Sequence, residues 1–223
     1  ATTTGAENTA VGLSSLLLNT TGTQNVGFGS STLDACTEGS YNTAIGTSAL
    51  GGVTTADYNT AVGRNAGAAV TTGTQNTLIG GLAGDALTTA NNNVAVGYSA
   101  LSADLKGDRN TAIGTETLAA QQFGTATNSY NTAVGYHAGN DVTTGIQNTL
   151  IGGLAGDALT DADFNVAVGI AALSSDTLGS RSTAIGDNAL AAQNFTTATN
   201  TYNTAVGFNA GLAVTTGTQN TLI

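Results

Sequence analysis

The sequence predicts an all-β fold, a parallel β-solenoid (β-roll) of about 12 to 13 rungs with 17 residues per rung, on three observations. First, variants of the motif Asn59–Gly63 (NTAVG) recur along the chain, with a 17-residue spacing between starts ten times and a 21-residue spacing twice. Second, the motif Gly is present in all 12 complete copies, which suits a repeated tight turn. Third, the motif is rich in Val, Ile and Thr, which favour strands. The copies begin at Asn8, Asn25, Asn42, Asn59, Asn76, Asn93, Asn110, Asn131, Asn148, Asn165, Ser182, Asn203 and Asn220.

The side-chain pattern within the motif predicts which strand face lines the core. We number the motif Asn as position 0, and we call the equivalent positions of successive rungs a column. Position +3 is Val, Ile or Phe in every copy, from Val11 to Ile223, and position +1 is Thr or Val. Because side chains alternate across a strand, +1 and +3 share one face, and we expect that face to point inward. Position +8 is Leu or Gly; we expect Leu to fill the second wall and Gly to tighten the turn.

Position +2 then forms the outer face of the strand, and it carries Ala with a periodic Leu and no polar side chain. With the opposite parity, the exposed column would instead be Val, Ile and Phe. Either way one sheet is apolar on both faces, which favours packing against another chain. The predicted chain–chain ladder includes Ala61, Leu78, Ala95, Ala112, Ala133 and Leu150.

The chain reads as one repeat domain over residues 1–223. Residues 59–130 and 131–202 are 72-residue copies of each other, with four rungs each. Residues 1–58 are diverged rungs, and residues 203–223 begin a third copy. Since the chain starts and stops within the repeat, we expect it to be part of a longer protein.

The two 21-residue rungs each carry a four-residue insertion, which contains Gln121–Phe123 in one and Gln193–Phe195 in the other and which we expect to bulge as a loop. Insertions in solenoids map to one face, which is often the binding face. Phe123 and Phe195 are therefore the predicted contacts with a partner.

Composition and charge argue against a nucleic-acid partner, a membrane-inserted segment and an internal disulfide. The net charge is −10, and the four basic residues, Arg64, Lys106, Arg109 and Arg181, are scattered. A nucleic-acid surface needs clustered Lys and Arg, so we expect no nucleic-acid partner. The sequence has no apolar run long enough to insert into a membrane. A single cysteine, Cys36, leaves no internal disulfide.

The segments Asn93–Gly97 (NVAVG) and Ser182–Gly186 (STAIG) resemble the SVAIG head repeat of YadA-like trimeric autotransporter adhesins, and related repeats occur in phage tail-fibre-like proteins. Every rung carries a variant, so the resemblance covers the whole chain. It implies a left-handed parallel β-roll, usually a homotrimer, on a cell or virion surface. The family repeat is shorter than the repeat of this chain, and it has Ser-Val where this chain mostly has Asn-Thr.

Together these features predict an extracellular structural rod of a surface adhesin or fibre that mediates attachment, with an unknown surface ligand. A bacteriophage tail fibre and a self-assembling extracellular filament are the alternatives. The expected partner is the chain itself, as a trimer or filament.

The residue types and their spacing give little indication of a catalytic site or a ligand-binding site. The segment Gly80–Leu87 and its copy approach a calcium-binding nonapeptide, but one Asp per site cannot supply the six to eight oxygens that calcium takes; we expect Asp85 and Asp157 to be turn residues. His137 is the single histidine and reads as a surface residue. An ice-binding Thr face at +12 is doubtful because +13 is irregular. We therefore expect no enzyme activity, metal or cofactor.

Overall fold

The computed structural model describes residues 4–223, and these confirm an all-β parallel solenoid without helices. Thirteen strands form one parallel sheet in which equivalent residues of successive rungs pair, for example Thr60 with Thr77. At ~4.8 Å per strand the sheet runs for ~60 Å. Its strands are β1 (Thr9–Val11), β2 (Val26–Phe28), β3 (Thr43–Ile45), β4 (Thr60–Val62), β5 (Thr77–Ile79), β6 (Val94–Val96), β8 (Thr111–Ile113), β10 (Thr132–Val134), β11 (Thr149–Ile151), β12 (Val166–Val168), β14 (Thr183–Ile185), β16 (Thr204–Val206) and β17 (Thr221–Leu222). The left-handed sense of the coil stays a prediction.

Four two-residue strands mark the two inserted rungs. Strand β7 (Gly107–Asp108) pairs with β9 (Thr127–Asn128), and β13 (Gly179–Ser180) pairs with β15 (Thr199–Asn200). This register divides each insertion into two parts. Three residues, 124–126 or 196–198, form an exposed loop, and one residue, Ser129 or Thr201, is buried.

The predicted strand parity is wrong. Column +2 points into the coil, where residues such as Ala61 are fully buried, whereas the β-branched side chains of column +3 stand on the outside. The interior is narrow because each turn of the coil is short and contributes only one three-residue strand to the long sheet. Small Ala side chains at +2 face the +8 column across this space.

Columns +2 and +8 fill the core jointly. A Cβ atom at Gly67 or Gly84 would lie 2.6 or 2.8 Å from a δ-methyl carbon of Leu78, so the leucine occupies the space that both glycines leave. The same arrangement recurs at Leu150. The glycines at +8 therefore do not tighten the turn, because Leu50 adopts a similar φ (49°) to Gly67 (59°) at that position. They make room for the larger +2 residue.

The motif Gly at +4 has a separate steric cause. Its φ lies between 117° and 142° in every described copy, a region that other residues rarely adopt. A Cβ at Gly46 would also lie 2.8 Å from the backbone of Gly63 in the next rung. Both restrictions leave only glycine at this turn.

The motif Asn forms a largely buried ladder that closes most of the rungs. The Nδ2 atom of Asn59 donates to the carbonyl of Gly73, at the end of the same rung (2.9 Å). Its Oδ1 accepts from the backbone N–H of Asn76 in the next rung (2.9 Å). Asn59 thus satisfies two backbone groups that would otherwise be buried without partners.

Candidate functional site

The outer side of the long sheet is a regular exposed surface that runs the length of the rod. We define the sheet face as the outward columns +1 and +3 together with the columns that flank them, −1 (the residue before the motif Asn) and +5. The +1 side chains are mostly Thr, and +3 residues such as Ile79 are 38% exposed. The face therefore presents methyl groups at every rung and a hydroxyl at each rung where +1 is Thr.

Both flanking columns carry large exposed side chains. Column −1 contains Tyr41 and Tyr58, whose rings stack with centroids 4.7 Å apart. Further along, the Arg109 guanidinium lies 5.5 Å from the Tyr130 ring centroid, and that of Arg181 lies 4.6 Å from the Phe164 ring centroid. Column +5 adds the exposed residues Leu13, Tyr98, Tyr136, Ile170 and Phe208.

The sheet face differs in charge from the rest of the rod. Arg64, Arg109 and Arg181 lie in its columns, against only two acidic residues, Glu7 and Asp187. The face therefore has a net charge of +1 in a chain whose net charge is −10. Three of the four basic residues that are scattered in sequence therefore lie on this one surface, and only Lys106 lies outside it.

The predicted chain–chain ladder lies inside the coil and cannot contact another chain. Each of its residues is at most 1% exposed: Ala61, Leu78, Ala95, Ala112, Ala133 and Leu150. The exposed apolar column is +3 instead, which is the alternative parity that the sequence left open.

Phe123 and Phe195 also differ from the prediction, because each is only 7% exposed. The backbone N–H of Phe123 donates to Oδ1 of the buried Asp104 (3.1 Å), and the Gln121 side chain donates to Oδ2 (2.7 Å). Burial raises the pKa of Asp104, an effect that these hydrogen bonds oppose. The same contacts recur at Phe195, so both rings are part of the interior and only the adjacent loops are exposed.

The other titratable residues considered from the sequence lie outside the columns of the sheet face, although the His137 ring stacks on Tyr136 of column +5, with centroids 3.9 Å apart. His137 is a surface residue whose Nε2 lies 2.8 Å from a carboxylate oxygen of Glu116 in the preceding rung. Burial raises the pKa of the Cys36 thiol to about 11, so the thiol stays protonated and unreactive at neutral pH. Asp85 and Asp157 each have a buried Oδ1 without a hydrogen-bond partner, and burial raises the pKa of both carboxyl groups.

The described residues form neither a metal-binding cluster nor a free array of Thr hydroxyls, the two other ligand sites that we considered from the sequence. Within residues 4–223, no three His, Cys, Asp or Glu side chains cluster as a metal site requires. Most of the +12 hydroxyls donate to backbone carbonyls of the next rung, as Thr71 does to Thr88 (3.2 Å), so they do not form a free array for ice. The described part of the chain also contains no helix long and apolar enough to cross a membrane.

Comparison with known proteins adds no assignment. No protein-family model matches the chain, and neither a curated protein nor a solved structure is significantly similar to it.

Proposed function

We propose that this chain is a structural rod of an extracellular surface adhesin or fibre, with a role in attachment rather than catalysis. The observation that carries the proposal is the unbroken 13-stranded parallel sheet, which makes one stiff element from identical steps. Each rung contacts its neighbours along the axis, which is how solenoids extend to any length.

We further propose that the rod associates with copies of itself through the sheet face. The face is ~60 Å long, and the seven positions from −1 to +5 extend over at most ~20 Å, so its area is on the order of 1,000 Å². A stable interface buries about 800 Å² per partner. Association through this surface also avoids most of the repulsion that a net charge of −10 creates, because the acidic residues lie mainly on other columns. The proposed homo-oligomer is a trimer, as the adhesin resemblance implies.

Light scattering on the purified chain tests the association. The variant with both Ile79→Glu and Ile151→Glu places two charges on the sheet face, and we expect it to be monomeric and folded. The control variant, Thr72→Glu with Thr216→Glu, adds the same charge at exposed positions of column +13. It should keep the oligomeric state of the unmodified protein.

A monomer for the unmodified chain at micromolar concentration would contradict self-association through this face while leaving the rod itself intact. Equal dissociation by the two double variants would assign the effect to net charge rather than to the sheet face.

A further inference from the structure

The residue types in column −1 are restricted, and the backbone conformation of the column does not explain this restriction. All thirteen residues are exposed, all have φ between 51° and 65°, and every side chain ends in a planar group. Glycine would adopt this left-handed conformation without strain, whereas bulky residues adopt it at a cost. The column consists of Glu7, Gln24, Tyr41, Tyr58, Gln75, Asn92, Arg109, Tyr130, Gln147, Phe164, Arg181, Tyr202 and Gln219.

Column +6 provides the comparison, because it has the same left-handed backbone but accepts unrelated residues. Ser31, Leu82, Glu116 and Ala171 all occupy it. The planar groups of column −1 are therefore retained for a reason other than φ. Successive planar groups contact one another, as where Gln24 Nε2 donates to Glu7 Oε2 (2.8 Å).

Within this column, two phenols are neighbours at one place. Tyr41 and Tyr58 lie in adjacent rungs, with ring centroids 4.7 Å apart and ring planes inclined by 3°. Both side chains are open to solvent, with exposed fractions of 45% and 57%. In the same column, Tyr130 and Tyr202 have Arg or Gln in the adjacent rungs. We propose that Tyr41 and Tyr58 form an oxidative cross-linking site, at which a peroxide-driven one-electron oxidant joins the two rings as dityrosine.

The reaction balances with one peroxide. Each phenol gives up one electron and its hydroxyl proton and becomes a phenoxyl radical, and the two electrons and two protons reduce hydrogen peroxide to two waters. The radicals couple by a carbon–carbon bond between ring carbons ortho to the hydroxyls. Each of those carbons then loses its hydrogen as a proton, and each phenolic oxygen takes one up. The protein loses two hydrogen atoms in total.

The geometry favours coupling within one chain. The rings are parallel with centroids 4.7 Å apart, so a tilt and slide of the rings can bring an ortho carbon of each phenol into bonding distance. A radical on Tyr130 has no phenol in the next rung with which to couple. The new bond would join equivalent turns of two successive rungs, and such a cross-link opposes unfolding by restricting the unfolded chain.

Because column −1 is part of the sheet face, the experiment uses the purified chain at a concentration at which light scattering shows a monomer, and treats it with a haem peroxidase and hydrogen peroxide. We expect dityrosine fluorescence, a monomer-sized band on a denaturing gel, a mass lower by two hydrogen atoms and a cross-linked peptide that joins residues 41 and 58. The treated protein should also unfold at a higher temperature than the untreated protein.

Tyr41→Phe and Tyr58→Phe should each abolish the dityrosine fluorescence of the monomer-sized band and the peptide that joins residues 41 and 58. Phenylalanine keeps the ring but cannot form a phenoxyl radical. The matched controls Tyr130→Phe and Tyr202→Phe remove exposed tyrosines of the same column and should leave the product unchanged. Melting curves of the untreated variants check that all four are folded. Absence of the cross-link, its survival in Tyr41→Phe, or coupling only between chains would overturn the proposal.

Discussion

A Cβ atom on Gly67 would lie 2.6 Å from Cδ1 of Leu78, the leucine that fills the space opposite it in the next rung. The two residues belong to facing walls of the coil, columns +8 and +2. Their sizes are complementary: among the complete rungs, leucine stands at +2 only where +8 is glycine in that rung and in the rung before it. This exchange of a large and a small residue gives the core its four-rung period.

Leu78→Ala should therefore cost about 2–5 kcal/mol of unfolding free energy, because the two glycines that face Leu78 cannot fill the cavity. Urea unfolding followed by circular dichroism measures the loss. Leu82→Ala, at a half-buried position of the same rung, is the control and should cost clearly less. Equal losses in the two variants would argue against the close packing of columns +2 and +8.

Gly63→Ala should destabilise the rod by about 3 kcal/mol or more, because residues other than glycine are strained at a φ of 140°. The new Cβ would also lie 2.6 Å from the carbonyl carbon of Gly80. Gly153→Ala is the matched control, since a Cβ there meets no atom within 4 Å. It should raise the unfolding free energy by about 0.4–1 kcal/mol through the unfolded state. A thermal melt of each variant compares the two positions, and a harmless Gly63→Ala would refute the steric account of the motif Gly.

The asparagine ladder predicts opposite effects at two of its members. Asn59→Ala leaves the Gly73 carbonyl and the Asn76 N–H buried without their partners, at a cost of about 1–3 kcal/mol for each group. Asn110 lies at the first insertion, where its own Nδ2 is buried without a hydrogen-bond partner. The equivalent residue at the second insertion is Ser182, which bonds to Thr201 and Gln193. Asn110→Ser should therefore maintain or raise the unfolding free energy, and denaturant titration of both variants distinguishes this outcome from a uniform loss.

Asp85 predicts an unusual dependence of stability on pH. Burial raises the pKa of its carboxyl group above the usual 3.8, so ionisation is less favourable in the folded chain than in the unfolded chain. Its contribution to stability is fully present below pH 3.8 and is lost as the pH rises through the raised value. Asp85→Asn should thus be more stable than the unmodified chain at pH 7, and the difference should vanish near pH 3.8.

Asn140 shows that asparagine fits at the same position of another rung. Glu38→Gln removes one charge at an exposed site and serves as the control. The unfolding free energy of Glu38→Gln should not show a pH-dependent gain as large as that of Asp85→Asn. A constant difference between Asp85→Asn and the unmodified chain from pH 3.5 to 7 would contradict the assignment to Asp85.

The two insertions show which surface residues could be predicted from the local sequence pattern and which could not. The sequence identified the two rungs that carry insertions, but it assigned Gln121–Phe123 and Gln193–Phe195 to them, whereas residues 124–126 and 196–198 form the exposed loops. It did not indicate that Phe123 folds inward, because that depends on Asp104 from the preceding rung, which accepts the Phe123 N–H in the interior. Asp104 replaces the apolar residue that usually occupies position +11, and this was the available signal.

The sequence alone determined the rung length, the number of rungs, the parallel in-register pairing and the turn glycine, because a strict period forces equivalent residues to stack. Only the tertiary structure decided which strand face lines the core, since an apolar pattern on both faces is compatible with either parity. A 17-residue coil has room inside for Ala or one Leu at +2, so the bulkier Val and Ile stand outside. The size exchange between Leu78 and Gly67 was already present in the sequence, but the contact that explains it exists only when the coil closes.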